Sequence, residues 1–400
     1  MVVFPDHKAL EATNIIYSIG QYAAAVVSGK PGSCPRMNGG KKRVAGGIRG
    51  DFTGKRILVA GNPNHEYLSM IASGFKACGL ETAIHKWEWP KPNPIKELGM
   101  LTSDKYRKNI YELWGKTYSM ALERAVSRLV PDYVLLFKGG EGAYLTEATR
   151  AFSSRSGMKL VMWACDSVQH YPQIADVAAG CDLTYSFEPT DIQELSKLCR
   201  AKYLPLAYDP SKYHPINSSR CCYVDVAFVG TLHSPGRSGL LRYIARELPD
   251  LEVGVWSDSR NWYSPLKLND ILFASFRGNL HLKRKTLEHA MVNQIYNNSR
   301  ICLNITHPQS REGVNPRTFE VLGSQGLLVT DKKLDSLEDF ICGRDYVFYG
   351  SRSELIGELS RFVRDDEGRF RIRRSGHSIA EKRHTYTHRA LTIMNDLCRM

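Results

Sequence analysis

No apolar run in this 400-residue chain approaches the ~20 residues that a membrane-spanning helix requires. The opening stretch, MVVFPDHKALEATNIIYSIGQYAAAVVSG, carries charges inside it and no cationic segment ahead of an apolar block. It does not read as a secretory signal. Ten cysteines are scattered without a Cys-x-x-Cys pair, and the one adjacent couple, Cys221 and Cys222, is poorly placed to bridge itself. Reduced thiols in a cytoplasmic protein are therefore expected. The twelve histidines show no zinc-ligand spacing. No zinc-finger, RNA-recognition or helix-turn-helix pattern occurs, so nucleic acid is not the expected partner.

What is abundant is positive charge. Lys and Arg number 54 against 41 Asp and Glu, a formal net charge of +13. Residues 1–50 hold seven basic against two acidic residues, and residues 361–400 hold ten against five, with Arg369, Arg371, Arg373 and Arg374 close together. Such a surface concentrates anions, among them phosphorylated small molecules and acidic lipid headgroups. Peripheral contact with the inner face of an anionic membrane is the expectation this asymmetry supports; ordinary solvated charge is the plain alternative.

The length exceeds one ordinary core and fits two domains. Residues 1–50 read as a basic arm, and the Gly/Pro-rich stretch 31–54 as a linker leading into the first strand. From 55 the chain alternates. KRILVAG, ETAIHKWEW, PDYVLLFKGG, KLVMWACDS and CDLTYSFEP read as strands. Helices are expected over EYLSMIASGFKACG, 104–130, EGAYLTEATRAFSSRSG and TDIQELSKLC, the last capped by Thr190. The pattern restarts after 216 with the strands DVAFVGT, LEVGVW, RICLNIT, GLLVTD and YVFYGS. The helices between them are SGLLRYIARELP, TLEHAMVNQIYNNS, PRTFEVLGS and RSELIGELSRFVRD, with a last one from about 377. Near-continuous apolar strands separated by helices indicate parallel sheets covered on both faces. The expected domains are 51–215 and 216–375, with 376–400 as a terminal helix. Ligands of such sheets bind outside the carboxyl ends of the strands.

The most informative stretch is REGVNPRTFEVLGSQGLLVTD, residues 311–331. Asn315 is a good N-cap and Pro316 a good first helical residue. The free N–H groups of that helix start suit a phosphate. Gly313 lets the backbone approach a ligand closely. Glu320, one turn into the helix, suits a vicinal diol such as ribose, and Glu312 on the loop suits further hydroxyls. Phosphate, ribose and polyol together describe a sugar nucleotide. Read without context, both glutamates are equally well surface charges.

Over LNITHPQSREGVNPRTFEVLGSQGLLVTD the sequence resembles GT-B glycosyltransferases, and most of all the group typified by the spore-maturation protein CgeB. The segment HTYTHR, 384–389, is similar to one in the last helix of that group. The resemblance implies two Rossmann-like domains facing a cleft, with a C-terminal helix crossing back to the first. It implies a nucleoside-diphosphate sugar as co-substrate, with Glu320 on its ribose and Glu312 near its sugar. Gly230 and the loop TLHSPGR would face the diphosphate. Thr231 stands directly after the glycine, where many such enzymes have Arg, so Arg237 or Arg317 is the candidate diphosphate cation; a helix salt bridge is the other reading of Arg317. Gln325 occupies a turn position that is usually glycine. No Asp-x-Asp triplet, the metal-holding signature of the GT-A class, occurs, and neither a metal nor another cofactor is expected.

The first domain would bind the acceptor: a glycan, a lipid-linked group, a protein or a small molecule. Asp166, at the end of the strand KLVMWACDS, and His170 beyond it are the candidate catalytic groups. In an inverting transfer either could take a hydroxyl proton; in a retaining one Asp166 would instead bind sugar hydroxyls. A plain loop carboxylate is the other reading of Asp166. His65 and Glu66 are weaker candidates, and GGEG, 139–142, lacks the third glycine of a dinucleotide fingerprint. A non-catalytic glycan- or partner-binding module and a sugar-nucleotide epimerase are the alternatives.

Overall fold

The computed structural model describes residues 52–61, 66–86, 104–138, 157–216, 223–232, 235–257, 279–284, 287–307, 310–332, 334 and 337–400. The basic arm, His65, GGEG and nearly all of the expected helix 141–157 lie outside the described residues.

The first domain runs β1 (Arg56–Gly61), α1 (Tyr67–Ala77), β2 (Glu81–Lys86), α2 (Asp104–Leu129), β3 (Tyr133–Lys138) and β4 (Lys159–Ala164). It continues through α3 (Gln173–Ala178), β5 (Leu183–Ser186), a 3-10 turn (Pro189–Asp191), α4 (Ile192–Leu195) and β6 (Ala201–Tyr203). Its six strands are all parallel, in the order β2-β1-β3-β4-β5-β6. Val59 stands beside Leu135 and Leu135 beside Val161, so the centre of the sheet is a stack of apolar rows. Successive residues of β1 face opposite layers, as a period of two demands. Ile57 and Val59 pack towards α1, and Leu58 and Ala60 towards α2 and α3.

The second domain runs β7 (Val226–Val229), α5 (Pro235–Glu247), β8 (Val253–Ser257), β9 (Leu280–Arg284), α6 (His289–Asn298) and β10 (Ile301–Asn304). Then come α7 (Pro316–Gly323), β11 (Leu328–Thr330), β12 (Val347–Phe348), α8 (Arg352–Arg364), α9 (Asp366–Arg383) and α10 (Tyr386–Leu397). The order β12-β11-β10-β7-β8-β9 places the chain reversal between β7 and β10. In open parallel sheets that reversal opens a crevice at the carboxyl ends of the two strands.

Several elements differ from the sequence expectation, among them α3 and β6, which are too short to show a period of their own. β9, LHLKR, was not anticipated: it is a short edge strand with Leu280 buried and His281 and Lys283 exposed, too brief and too charged to stand out. The turn after β5 is capped by Glu188, which accepts from the Thr190 N–H, and not by Thr190. The terminal helix begins at Asp366 and is broken at His384 and Thr385. Thr385 caps α10, and the His388 side chain returns to the Thr385 backbone, a reciprocal pair that starts a new helix.

That new helix crosses back, as expected. Tyr386, Ala390, Ile393, Met394 and Leu397 lie in one apolar cluster with Leu68, Ile71 and Phe75 of α1. Burying each large side chain contributes roughly 1.5–3 kcal/mol, so α10 is part of the first domain's core. Closeness is enforced at Gly74, where a Cβ would stand 2.5 Å from the Tyr386 carbonyl oxygen. The two chain crossings between domains run side by side. The Tyr208 N–H donates to His384 O and the Tyr386 N–H to Tyr208 O.

Candidate functional site

Arg237 sits in the first turn of α5, and its guanidinium lies at the reversal between β7 and β10. Nε donates to the Ile305 carbonyl (3.0 Å), just past β10, and Nη1 donates to Thr231 O (3.1 Å) and Oγ1 (3.2 Å), just past β7. Burial holds this group below its ordinary pKa, and the nearby Asp331 carboxylate works against that shift. Asp331 is itself fixed by the Thr306 N–H (3.0 Å) and hydroxyl (2.7 Å). A cation is thus immobilised at the place where the topology puts a ligand. The Gly230 N–H, by contrast, continues the sheet by donating to Trp256 O.

The start of α7 is tied to the same strand end. Asn315 caps it by accepting from the Thr318 N–H, as expected, and exchanges amide hydrogen bonds with the buried Asn304 at the end of β10 (3.0 and 3.2 Å). The positive end of α7 therefore faces the loop that follows β10. Glu312 on that loop is exposed and Gly313 is buried.

Glu320 and Arg317 are paired with each other, the second of the two readings given for Arg317. Arg317 Nη1 donates to Glu320 Oε2 at 2.7 Å, and Glu320 is 2% exposed. A ribose-binding carboxylate and a phosphate-binding cation would each need an open face. Here Glu320 is closed off and satisfied by Arg317 three residues earlier on the helix, while the Arg317 side chain stays 25% exposed, which is the salt-bridge reading of Arg317. Tyr67 of the first domain, Tyr213 of the connection and Tyr296 of α6 lie within their field. Burial pushes all three phenols well above the ordinary range, and Glu320 adds to the shift. Gln325 takes the left-handed conformation (φ 57) without glycine, and its carbonyl accepts from Arg373.

On the first-domain side, Asp166 follows β4 and is half-buried, while His170 is exposed. The His170 ring lies 4.7 Å from Tyr171 and 6.5 Å from His307, on the loop after β10. His170 therefore stands at the seam between the two domains. Glu66 is left-handed (φ 56) and its carboxylate takes Lys212 Nζ at 3.0 Å, with His289 Nε2 at 3.7 Å. It bridges the domains rather than standing ready as a base.

The basic cluster is partly committed as well. Arg369 is buried and donates to the carbonyls of Phe362 and Val363, and Arg373 donates to those of Gln325 and Asn297. Only Arg371 and Arg374 of the four are exposed. No helix among the described residues is long and apolar enough to cross a membrane.

Sequence reasoning missed two buried carboxylates, Glu188 and Asp191, both 0% exposed. Their signal was available: SFEPTD puts two acids directly after an apolar strand, where carboxylates survive only if hydrogen-bonded.

Two six-stranded parallel α/β domains joined by a returning helix constitute the GT-B fold. Residues 237–395 match the family model described as glycosyl transferase-like. Similar solved structures share little sequence. One, described as trehalose-6-phosphate from E. coli bound with UDP-2-fluoro glucose, is 11% identical with a TM-score of 0.62, covering 86% of this chain and 99% of that one. An alpha,alpha-trehalose-phosphate synthase (UDP-forming) from Burkholderia vietnamiensis is 10% identical with a TM-score of 0.58, covering 86% and 96%. The Anabaena protein HepE in complex with UDP-glucose is 12% identical with a TM-score of 0.61, covering 86% and 100%. A search of curated proteins returns no match.

Proposed function

We propose that this protein is a glycosyltransferase of the CgeB-like kind, moving a sugar from a nucleoside-diphosphate sugar to an acceptor hydroxyl. The observation that carries the reading is Arg237, locked by three hydrogen bonds at the carboxyl ends of β7 and β10. The family match over 237–395 and the UDP-sugar complexes among the structural neighbours support it.

In this reading Arg237 and the N-terminus of α7 receive the diphosphate charge, a task that preorganised donors perform without a metal. Glu312, the exposed acid of the donor loop, meets the sugar. His170, across the seam, takes or orients the acceptor hydroxyl, with Asp166 behind it on the same loop. Arg317 and Glu320 serve as the paired floor beneath the start of α7 and not as separate ligand groups.

Calorimetry and nucleotide-release assays against UDP-, GDP-, TDP- and ADP-sugars test the proposal. One of these sugars is expected to bind and turn over. Arg237→Ala should weaken it by about 10- to 100-fold, the worth of one charge-assisted hydrogen-bonded contact. Failure of the wild-type protein to bind any nucleotide sugar would overturn the reading.

A further inference from the structure

The carboxylate of Glu188 belongs to the first domain, just past β5, yet its partners belong to the second. The N–H groups of Arg311 (2.8 Å to Oε2), Glu312 (3.1 Å to Oε1) and Gly313 (3.0 Å to Oε2) converge on it. The Thr190 hydroxyl donates to Oε1 (3.0 Å). A buried carboxylate is costly unless several donors satisfy it, and here the donors are three consecutive amides of the loop that carries Glu312. Gly313 fits this seat alone. A Cβ there would stand 2.8 Å from the Phe187 carbonyl oxygen and 3.0 Å from Glu188 Oε2.

The seat is coupled to the other side of the site. Asp191, one turn on, accepts from the Ser167 hydroxyl (2.7 Å), the Val168 N–H (3.1 Å) and the Ser186 hydroxyl (2.9 Å). Ser186 in turn accepts from the Glu188 N–H (3.1 Å). Ser167 and Val168 lie on the loop of Asp166 and His170. One buried network therefore runs from the candidate acceptor loop to the candidate donor loop, and Glu188 is its only member touching the second domain among the contacts described.

We propose that Glu188 is the positioning residue of the transfer reaction: it docks loop 311–313 on the first domain and so sets Glu312 against His170. The inference rests on the transferase reading for its catalytic consequence, but not for the docking itself. The fixed loop brings the sugar-facing carboxylate and the acceptor-side imidazole into register only when the domains are together.

Hydrogen exchange and steady-state kinetics on Glu188→Gln, Glu188→Ala and Gly313→Ala test it. The Arg311–Gly313 amides should be protected in the wild type. They should exchange about 10-fold or more faster in Glu188→Ala, the loss expected for hydrogen bonds to a charged acceptor, with the amides of β10 and β11 unchanged. Glu188→Gln keeps the side-chain shape and one acceptor oxygen, guards against misfolding, and should lie between. Turnover should fall on the order of 10²-fold, as for a misplaced reacting group, while affinity for the nucleoside diphosphate alone stays within about threefold, since that part binds elsewhere. Gly313→Ala should reproduce the effect with Glu188 intact. Unaltered protection at 311–313 in both Glu188 variants overturns the docking, and loosened amides with unaltered turnover overturn the positioning role. A wild-type protein that binds no nucleotide sugar defeats the transferase reading, while the exchange data still decide the docking.

Discussion

The Arg317–Glu320 pair shows how far a residue's neighbours decide its use. The spacing of Glu312 and Glu320 gave both acids an outward role, yet one is exposed and the other 2% exposed beneath its own helix. No pattern of residue types distinguishes them, because the difference is made by Tyr67, Tyr213 and Tyr296 arriving from three other parts of the chain. Glu320 is satisfied at 2.7 Å by Arg317, so removing either partner leaves the other charge uncompensated. Arg317→Met, which strands the buried carboxylate, is expected to destabilise by about 3–5 kcal/mol, and Glu320→Leu by less, because the Arg317 side chain is 25% exposed to water. The double variant should recover most of that loss, since apolar side chains of similar volume replace a buried pair at little cost. Urea denaturation of the four proteins checks the cycle. A double variant as unstable as the singles would show that the site needs the charge itself.

At the scale of elements, most of the strands and helices were legible because parallel strands buried on both faces are written as unbroken apolar runs. The joint between α9 and α10 was not. His384, Thr385 and Tyr386 sit in a chain that is helix-like on both sides, and the break follows from contacts made across the molecule. The His384 ring lies between Phe319 (5.3 Å) and Phe340 (4.9 Å), and its Nδ1 accepts from Arg389 Nη2 at 2.9 Å. Arg389 in turn donates to the carbonyls of Pro205 and Leu206 in the connection between domains. The segment HTYTHR thus builds a joint. Burial first, then the charges of Arg389, His388 and Arg383, drives the His384 pKa down to about 2, although Asp339 Oδ2 lies 3.3 Å from Nε2. The unfolded chain protonates this histidine near 6.5 and the folded chain does not, so the unfolded state binds the extra proton between those values. Stability should fall as pH drops below about 6.5, by up to 1.36 kcal/mol per unit from this group. The His384→Asn variant, which keeps an acceptor for Arg389 and cannot titrate, is expected to be less stable at pH 8 but to lose that slope. Guanidinium titrations from pH 8 to pH 5 measure it.

Taken whole, the molecule is two domains by topology and something closer to one by its contacts. The strand–loop–helix order around α7 and its Asn315 cap were readable from sequence because they are local, whereas the pairing of Arg317 with Glu320 and the seating of Gly313 against Glu188 were not. The coupling of the halves was not readable, because it depends on residues some 120 positions apart, such as Glu188 and Gly313. Those contacts also govern how the protein should come apart. Unfolding the second domain strips Glu188 of its three amide donors and removes the Gly323 backbone from the Tyr208 ring. It also frees α10, whose five core side chains complete the first domain. Once the second domain is lost, Glu188 keeps only its Thr190 donors and the α1 face loses its α10 cover, so a stable half-folded state is not expected. Of the six tryptophans, Trp163 is fully buried in the first domain and Trp256 nearly so in the second, and the difference between the parent signal and that of each Phe variant isolates one of them. Chemical denaturation followed in Trp163→Phe and Trp256→Phe should give coincident midpoints, after correction for each substitution's own effect on stability, and calorimetry should show a single transition whose van't Hoff and calorimetric enthalpies agree. Two separated transitions, with the Trp256 signal lost first, would instead show that α10 and the connection suffice to hold the first domain alone.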